Sequence, residues 1–386
     1  MKRFKYFLMF LFAAGVILPS PLLAAELMQD QVMIVRAKIL EVVSKSEKIL
    51  SWNDTKLSTQ TIRVQIIEGS NKNKEIVFDN DYVMLEKDDV FYLSYTIQSD
   101  GKEFYSVFEP DRTPILTFFA ILFIALVLIF GGIQGLRGLL SLALSLLVII
   151  FVLLPGVLHG YSALLISIGV SSLIIIFGSY ITHGFNKTTS SAVLGMIATV
   201  IVTGIMAYFA VYKSRLTGVT ADETIYLNFN TGGSIDLIGL LMGGIIIGLL
   251  GVLYDVSIGQ SISVEELHKI APHIDRWTIY KRAIRIGREH IGALVNTLAI
   301  AYVGASLPLL LLFYSSADSS FMMIINREVF ATEIIRILIG SIGLVLAVPI
   351  TTLLAVYMLI KKEKTNLSPE ILHKEKTNLE HFQHKH

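Results

Sequence analysis

The sequence predicts an α-helical polytopic membrane bundle of about seven spans with an N-terminal extracytoplasmic small β-barrel, OB-like in its strand number. Three observations predict it. Mean hydropathy is +0.65. Charged residues make up 16% of the 386 residues against 53% hydrophobic, where a soluble domain carries about a quarter charged. The charge is also segregated: residues 113–257 hold only Arg137, Lys187, Lys213, Arg215, Asp222, Glu223, Asp236 and Asp255. A net charge of +1 gives no field for drawing in nucleic acid. The absence of cysteine excludes disulfides, thiolate metal sites, iron–sulfur clusters and cysteine nucleophiles.

Residues 1–25 open with Met1-Lys2-Arg3-Phe4-Lys5, an apolar stretch from Tyr6 to Leu18, and Pro19-Ser20-Pro21 before Ala24-Ala25. These are the parts of a signal peptide. Leu23 at the −3 position leaves an uncleaved N-terminal anchor as the alternative, and either places the next segment outside. Residues 26–112 are polar, with 16 acidic side chains against 11 basic. Alternating, β-branched runs at 32–39, 61–67, 75–78 and 90–97 read as strands. Gly69-Ser70-Asn71-Lys72-Asn73 and Ser99-Asp100-Gly101-Lys102 read as hairpin turns.

The helical domain covers 113–361. Apolar stretches at 115–134, 138–158, 162–181, 191–212, 235–256, 290–314 and 334–360 each approach the ~20 residues that cross a hydrocarbon core. Residues 362–386 form a polar tail, expected in the cytoplasm, whose His381, His384 and His386 read as solvated. With the β-domain outside, the inner connections carry eleven Lys and Arg, from Arg137 and Lys187 through the Lys269–Arg288 run to Lys361, Lys362 and Lys364. The outer ones carry three, Lys213, Arg215 and Arg327. That asymmetry places the C-terminus in the cytoplasm.

The candidate site follows from polar residues inside apolar spans. Asp255 ends the fifth span, and Asn296, Thr297 and Tyr302 lie in the sixth. Ionisable and amide groups at such depth mark ion or substrate routes or tie helices together. At 1.5 Å per residue Asn296 stands about 9 Å inside His290, so antiparallel neighbours bring it near Asp255. Gly239, Gly243, Gly244 and Gly248 form two small-xxx-small pairs for close packing or gating. Glu333 and Arg336, three apart, fall on one helix face and are expected to pair. Pro349 is expected to kink the last span unless neighbours satisfy the freed carbonyl. His183 reads as a solvated helix end.

Residues 258–289 form a cytoplasmic segment broken at Pro272. Beyond it Trp277, Tyr280, Ile284 and Ile291 follow helical spacing beside a basic stripe of Lys281, Arg285 and Arg288. The segment 276–288 is thus expected to lie at the interface against anionic headgroups of the lipid bilayer. No GxxxxGK[ST], GxSxG or HExxH motif occurs. No catalytic residue, metal or cofactor is expected, and no nucleic-acid partner; a second copy or an envelope protein is the remaining kind of partner.

Several blocks together resemble the YibE/F family of bacterial membrane proteins. They are Asp111-Arg112 after the β-domain, Arg137, Thr182-His183-Gly184, Tyr254-Asp255-Val256-Ser257 with Ser261-Ile262, Asn296-Thr297-Leu298 with Ala301-Tyr302, and Glu333-Ile334-Ile335-Arg336. The likeness runs over most of 30–360. Members look like permeases, so the resemblance implies a multi-pass plasma-membrane protein with a transporter-like role for a small solute or ion. It carries no set of binding residues. The alternative reading is a non-transporting scaffold or sensor whose external β-domain binds a partner.

Overall fold

The computed structural model describes residues 31–49, 56–97, 103–220, 222–315 and 320–360. The leader, the Ser99–Lys102 turn, Lys361, Lys362, Lys364 and the histidine-bearing tail lie outside the described residues. The chain divides into two units, Met1–Phe123 and Ile124–His386.

The first unit is a five-stranded antiparallel sheet. β1 (Gln31–Ile49), β2 (Lys56–Ile66), β3 (Glu75–Asn80), β4 (Val90–Ile97) and β5 (Glu103–Pro110) are ordered β3-β2-β1-β4-β5. The period-two pattern puts Ala37, Ile39, Ile62, Val64, Phe91 and Leu93 on one wholly buried face. The expected turn joins β2 to β3, with Gly69 at φ 87° and Asn73 at φ 70° closing on Ile66. The edge strands approach through side chains: the Phe78 and Tyr105 rings lie 6.4 Å apart, and Lys74 pairs with Glu103 at 2.6 Å. The sheet is therefore a curled half-barrel, where a small OB-like barrel was expected. Arg36 on β1 binds Asp111 at 2.6 Å and Glu68 at 3.1 Å, and Asp111 accepts the Thr113 amide at 3.0 Å. Thr113 and Arg36 both favour the charged carboxylate, so the Asp111 pKa lies below the ordinary aspartate value.

The helices are α1 (Thr113–Val148), continued by a π-helical turn (Ile149–Leu153) and α2 (Leu154–Leu158); α3 (Ala163–His183); α4 (Lys187–Lys213); α5 (Asp222–Asn230); α6 (Leu237–Ile270); α7 (Arg276–Ala305); α8 (Leu307–Ser315); α9 (Phe321–Ile325); and α10 (Glu328–Leu359). Among the described residues five helices are long and apolar enough to cross a membrane, six if a bent pair counts as one span. Seven separate spans are not seen, for two reasons. The expected loop at 134–138 is helical, so the first two spans run together from Thr113 to Leu158. The break comes at Gly132, with φ 52° and ψ −136°. There Gly135 comes against the Val127 carbonyl, eight residues back, a pair that an unbroken helix would hold ~12 Å apart. The chain therefore bends sharply, and only glycine takes that conformation freely. The sixth span, in turn, begins at Arg276 rather than 290 and bends by 70° after Ala305.

The expected interfacial segment at 276–288 is helical and forms the first half of α7. Its packed face is Ile279, Ala283 and Gly287, while Trp277 stacks outward on Tyr280 with Lys281 over the indole. Asn186, Asp236 and Asp275 cap α4, α6 and α7 by accepting the amides of Thr189, Gly239 and Thr278. Arg276 donates to the Ile360 carbonyl and so ties the start of α7 to the end of α10.

The core of the bundle is α4, α6 and α10. Ser191 of α4 lies against Ser261 of α6 and Gly204 against Ile246, so the two run antiparallel. Ser257 and Gln260 of α6 meet Thr351 and Thr352 of α10, and Leu249 meets Gly343, so these run parallel. Small residues set the distances, since Gly195 abuts Thr351 and Gly343 abuts Thr203. Of the α6 pairs, Gly239 and Gly243 face Ala163 and Ser167 of α3 as expected. Gly244 and Gly248 do not act as a pair, because Gly248 meets Tyr302 while Gly244 faces open space. Pro349 does not interrupt α10, which is one helix from Glu328 to Leu359.

Candidate functional site

Asp255 lies just past the middle of α6, about 27 Å along the helix from Leu237 and about 22 Å short of Ile270, toward the end of the bundle where Gly184–Asn186 and Ala271–Asp275 make their turns. It lines a groove of about 280 Å³ between α6 and α7 with Gln260, Ser263, Gly287, His290 and Val348. Asp255 therefore shares its groove with the His290 imidazole, and not with the Asn296 amide expected for it.

Asn296 is exposed and is not part of that groove. Thr297 is exposed too, and its hydroxyl returns to its own helix at Ala293, 2.9 Å away. Tyr302 is half-buried with its ring against Gly248. The four residues thus do not form one constellation. Helical spacing explains this: one turn separates Leu298, which is buried, from Leu294, which lines the groove, and Asn296 falls between them on the outer face. Glu333 and Arg336 do pair, at 3.1 Å, and Ser306 at the α7 bend donates to Glu333 at 3.2 Å.

Behind the groove lies a polar seam that the sequence reading did not assemble. Gln260 is almost wholly buried, and its Oε1 accepts the Thr352 hydroxyl at 2.9 Å. One turn away Thr351 donates to Ser257 at 3.2 Å, and Ser191 donates to Ser261 at 3.2 Å. Along α4 the same face continues through Gly195 to Thr199 and Thr203, both wholly buried. Thr199 returns to the Gly195 carbonyl, whereas the Thr203 hydroxyl is unpartnered. Ser171 on α3 and Thr332 on α10 are likewise buried hydroxyls without a partner. Buried polar groups are ordinarily bonded, and these hydroxyls are the exceptions in an otherwise apolar core. The signal was present in the sequence as Ser191, Gly195, Thr199 and Thr203, four residues apart in an otherwise apolar span.

Among the described residues no group of three His, Asp or Glu side chains could hold a metal ion. Long apolar helices around a polar seam, opening to a groove with an acid and an imidazole, define a multi-pass membrane protein. The chain belongs to the YibE/F-like protein family, whose model matches residues 119–361. Comparison with curated proteins and with solved structures finds no match.

Proposed function

We propose that this chain is a transporter-like permease for a small solute or ion in the bacterial plasma membrane. One observation carries the reading: Gln260 is at once a wall of the Asp255–His290 groove and a partner of Thr352 in the buried seam. An open, titratable mouth is thereby joined to hydroxyls in the middle of the bundle. A purely packed scaffold has no need of unpartnered hydroxyls such as Thr203 there.

Seven crossings and the topology belong to the same proposal. Taking the Gly132 bend as a reversal makes two spans of Thr113–Leu158, and the bent α7–α8 pair adds one. An odd number puts the two ends of the domain on opposite sides. The basic end, with Arg276, Lys281, Arg282, Arg285 and Arg288, is then cytoplasmic, and the last four, which are exposed, meet anionic headgroups. The half-barrel lies outside, as an OB-like sheet open between β3 and β5.

The test is flux. Proteoliposomes of the full chain on a solid-supported membrane are challenged with a panel of inorganic ions, carboxylates and amino acids. Currents or uptake above empty vesicles, reduced at least tenfold by Asp255→Asn, support the permease. Wild-type vesicles indistinguishable from empty ones across the panel turn the assignment to the scaffold or sensor.

A further inference from the structure

A second cavity, of about 580 Å³, opens at the same end of the bundle between α3, α4 and α6, with Leu359 of α10 at its edge. The permease reading makes no use of it. Lys187 and Lys269 bring ammonium groups to its lining, and His183 and His268 bring imidazoles. The carboxylate in the lining, Glu265, is already engaged: it accepts the Thr188 hydroxyl at 2.5 Å and pairs with Lys269 at 2.9 Å. Lys269 is held again by Glu266 at 2.8 Å.

Lys187 is left with no acidic partner among the described residues. His268 Nδ1 is buried and unbonded. Asn186 takes up the Thr189 amide and caps the helix, while the Lys187 and Thr188 amides of the first turn of α4 stay free of intrahelical bonds. The lining thus holds several unspent donors and one spent acceptor. Residues that carry an ammonium, imidazoles and free helix amides around one cavity suit a tetrahedral oxyanion, which accepts several hydrogen bonds at once. Ile258, Ile262 and Leu359 add apolar surface beside these donors.

We propose that this cavity binds a phosphate group, supplied either by free phosphate or by the headgroup of an anionic phospholipid. The site lies on α3, α4 and α6, apart from the basic stripe of α7, and its occupancy does not depend on transport.

The full chain in micelles is titrated calorimetrically with inorganic phosphate in one arm, and with short-chain phosphatidylglycerol or phosphatidylcholine in the other. The background carries Lys281→Gln and Arg285→Gln to silence the α7 stripe. Saturable binding is expected, weakened at least tenfold by Lys187→Gln and retained by Lys187→Arg, with the imidazole resonances of His268 shifting on saturation of the Lys187-intact protein. Binding of inorganic phosphate assigns a soluble anion; binding of phosphatidylglycerol alone assigns a headgroup. No saturable binding in either arm overturns the proposal. So does binding left unweakened by both Lys187→Gln and the Lys187→Gln/His268→Gln pair in protein that elutes as the parent does.

Discussion

The Thr352 hydroxyl reaches Gln260 Oε1 at 2.9 Å across the α6–α10 contact, and the same Gln260 side chain lies against Gly287 of α7. Three helices therefore meet at one amide. Thr352→Val keeps the shape and removes the hydroxyl that lies between Gln260 Oε1 and the Val348 carbonyl, 2.6 Å away on its other side. A membrane hydrogen bond of this kind contributes ~0.6 kcal/mol, so the expected loss of thermal stability in micelles is small. The loss of flux should be larger than that stability change implies. Thermal unfolding and flux measured on the same preparation check it.

The glycines separate by what a Cβ would meet. At Gly195 it would collide with the Thr351 side chain and backbone, whereas at Gly244 it would meet nothing within 4 Å. Gly195→Ala is thus expected to destabilise the bundle by ~1–3 kcal/mol, as overpacking does. Gly244→Ala should leave it unchanged or slightly more stable, since alanine is the better helix former. Equal melting shifts for the two variants would contradict the packing described.

The connection between α4 and α10 rests on Glu328, which accepts the Thr217 amide, the Thr217 hydroxyl and the Gly218 amide at 2.6, 2.7 and 3.0 Å. Gly218 has φ 82° and abuts the Leu237 backbone, so it has neither the conformation nor the space for a side chain. Gly218→Ala is expected to cost more than Glu328→Gln, which keeps an acceptor oxygen in place. Limited proteolysis at 214–236, rising more in the glycine variant, is the measurement.

In the β-unit Asp111, Glu103, Glu109 and Asp88 all have lowered pKa values: Asp111 through Thr113 and Arg36, the others chiefly through Lys74, Arg112 and Lys38. A lowered carboxylate contributes stability that is complete above its unfolded pKa and is lost as pH falls through the folded one. Stability of this unit should hold near neutrality and fall below about pH 4, where unperturbed carboxylates protonate. Asp111→Asn should flatten that acid limb, followed by tyrosine fluorescence against pH.

The chain contains no cysteine, so single cysteines report topology cleanly. Lys72→Cys in the β2–β3 turn should label with a membrane-impermeant maleimide on intact cells. Arg285→Cys on α7 should label only after permeabilisation. The reverse pattern would exclude the proposed orientation.

The sequence by itself determined the parts of this protein that depend on local period and composition. Alternation at 32–39 and 90–97 can only be a half-buried strand, and twenty apolar residues can only be satisfied as helix in lipid. Glu333 and Arg336 were legible for the same reason, since a spacing of three fixes a shared face. Tertiary structure decided what depended on rotation and depth. Whether Asn296 faces Asp255 turns on about half a turn of helix rotation, which packing at Gly287 and Leu298 sets. Whether 134–138 is a loop turned on one glycine, Gly132, taking a backbone conformation that its neighbours do not. The seam from Gln260 through Thr352, Ser257 and Thr351 joins residues more than ninety positions apart, and hydroxyls scattered through apolar helices acquire a common surface only once those helices are packed.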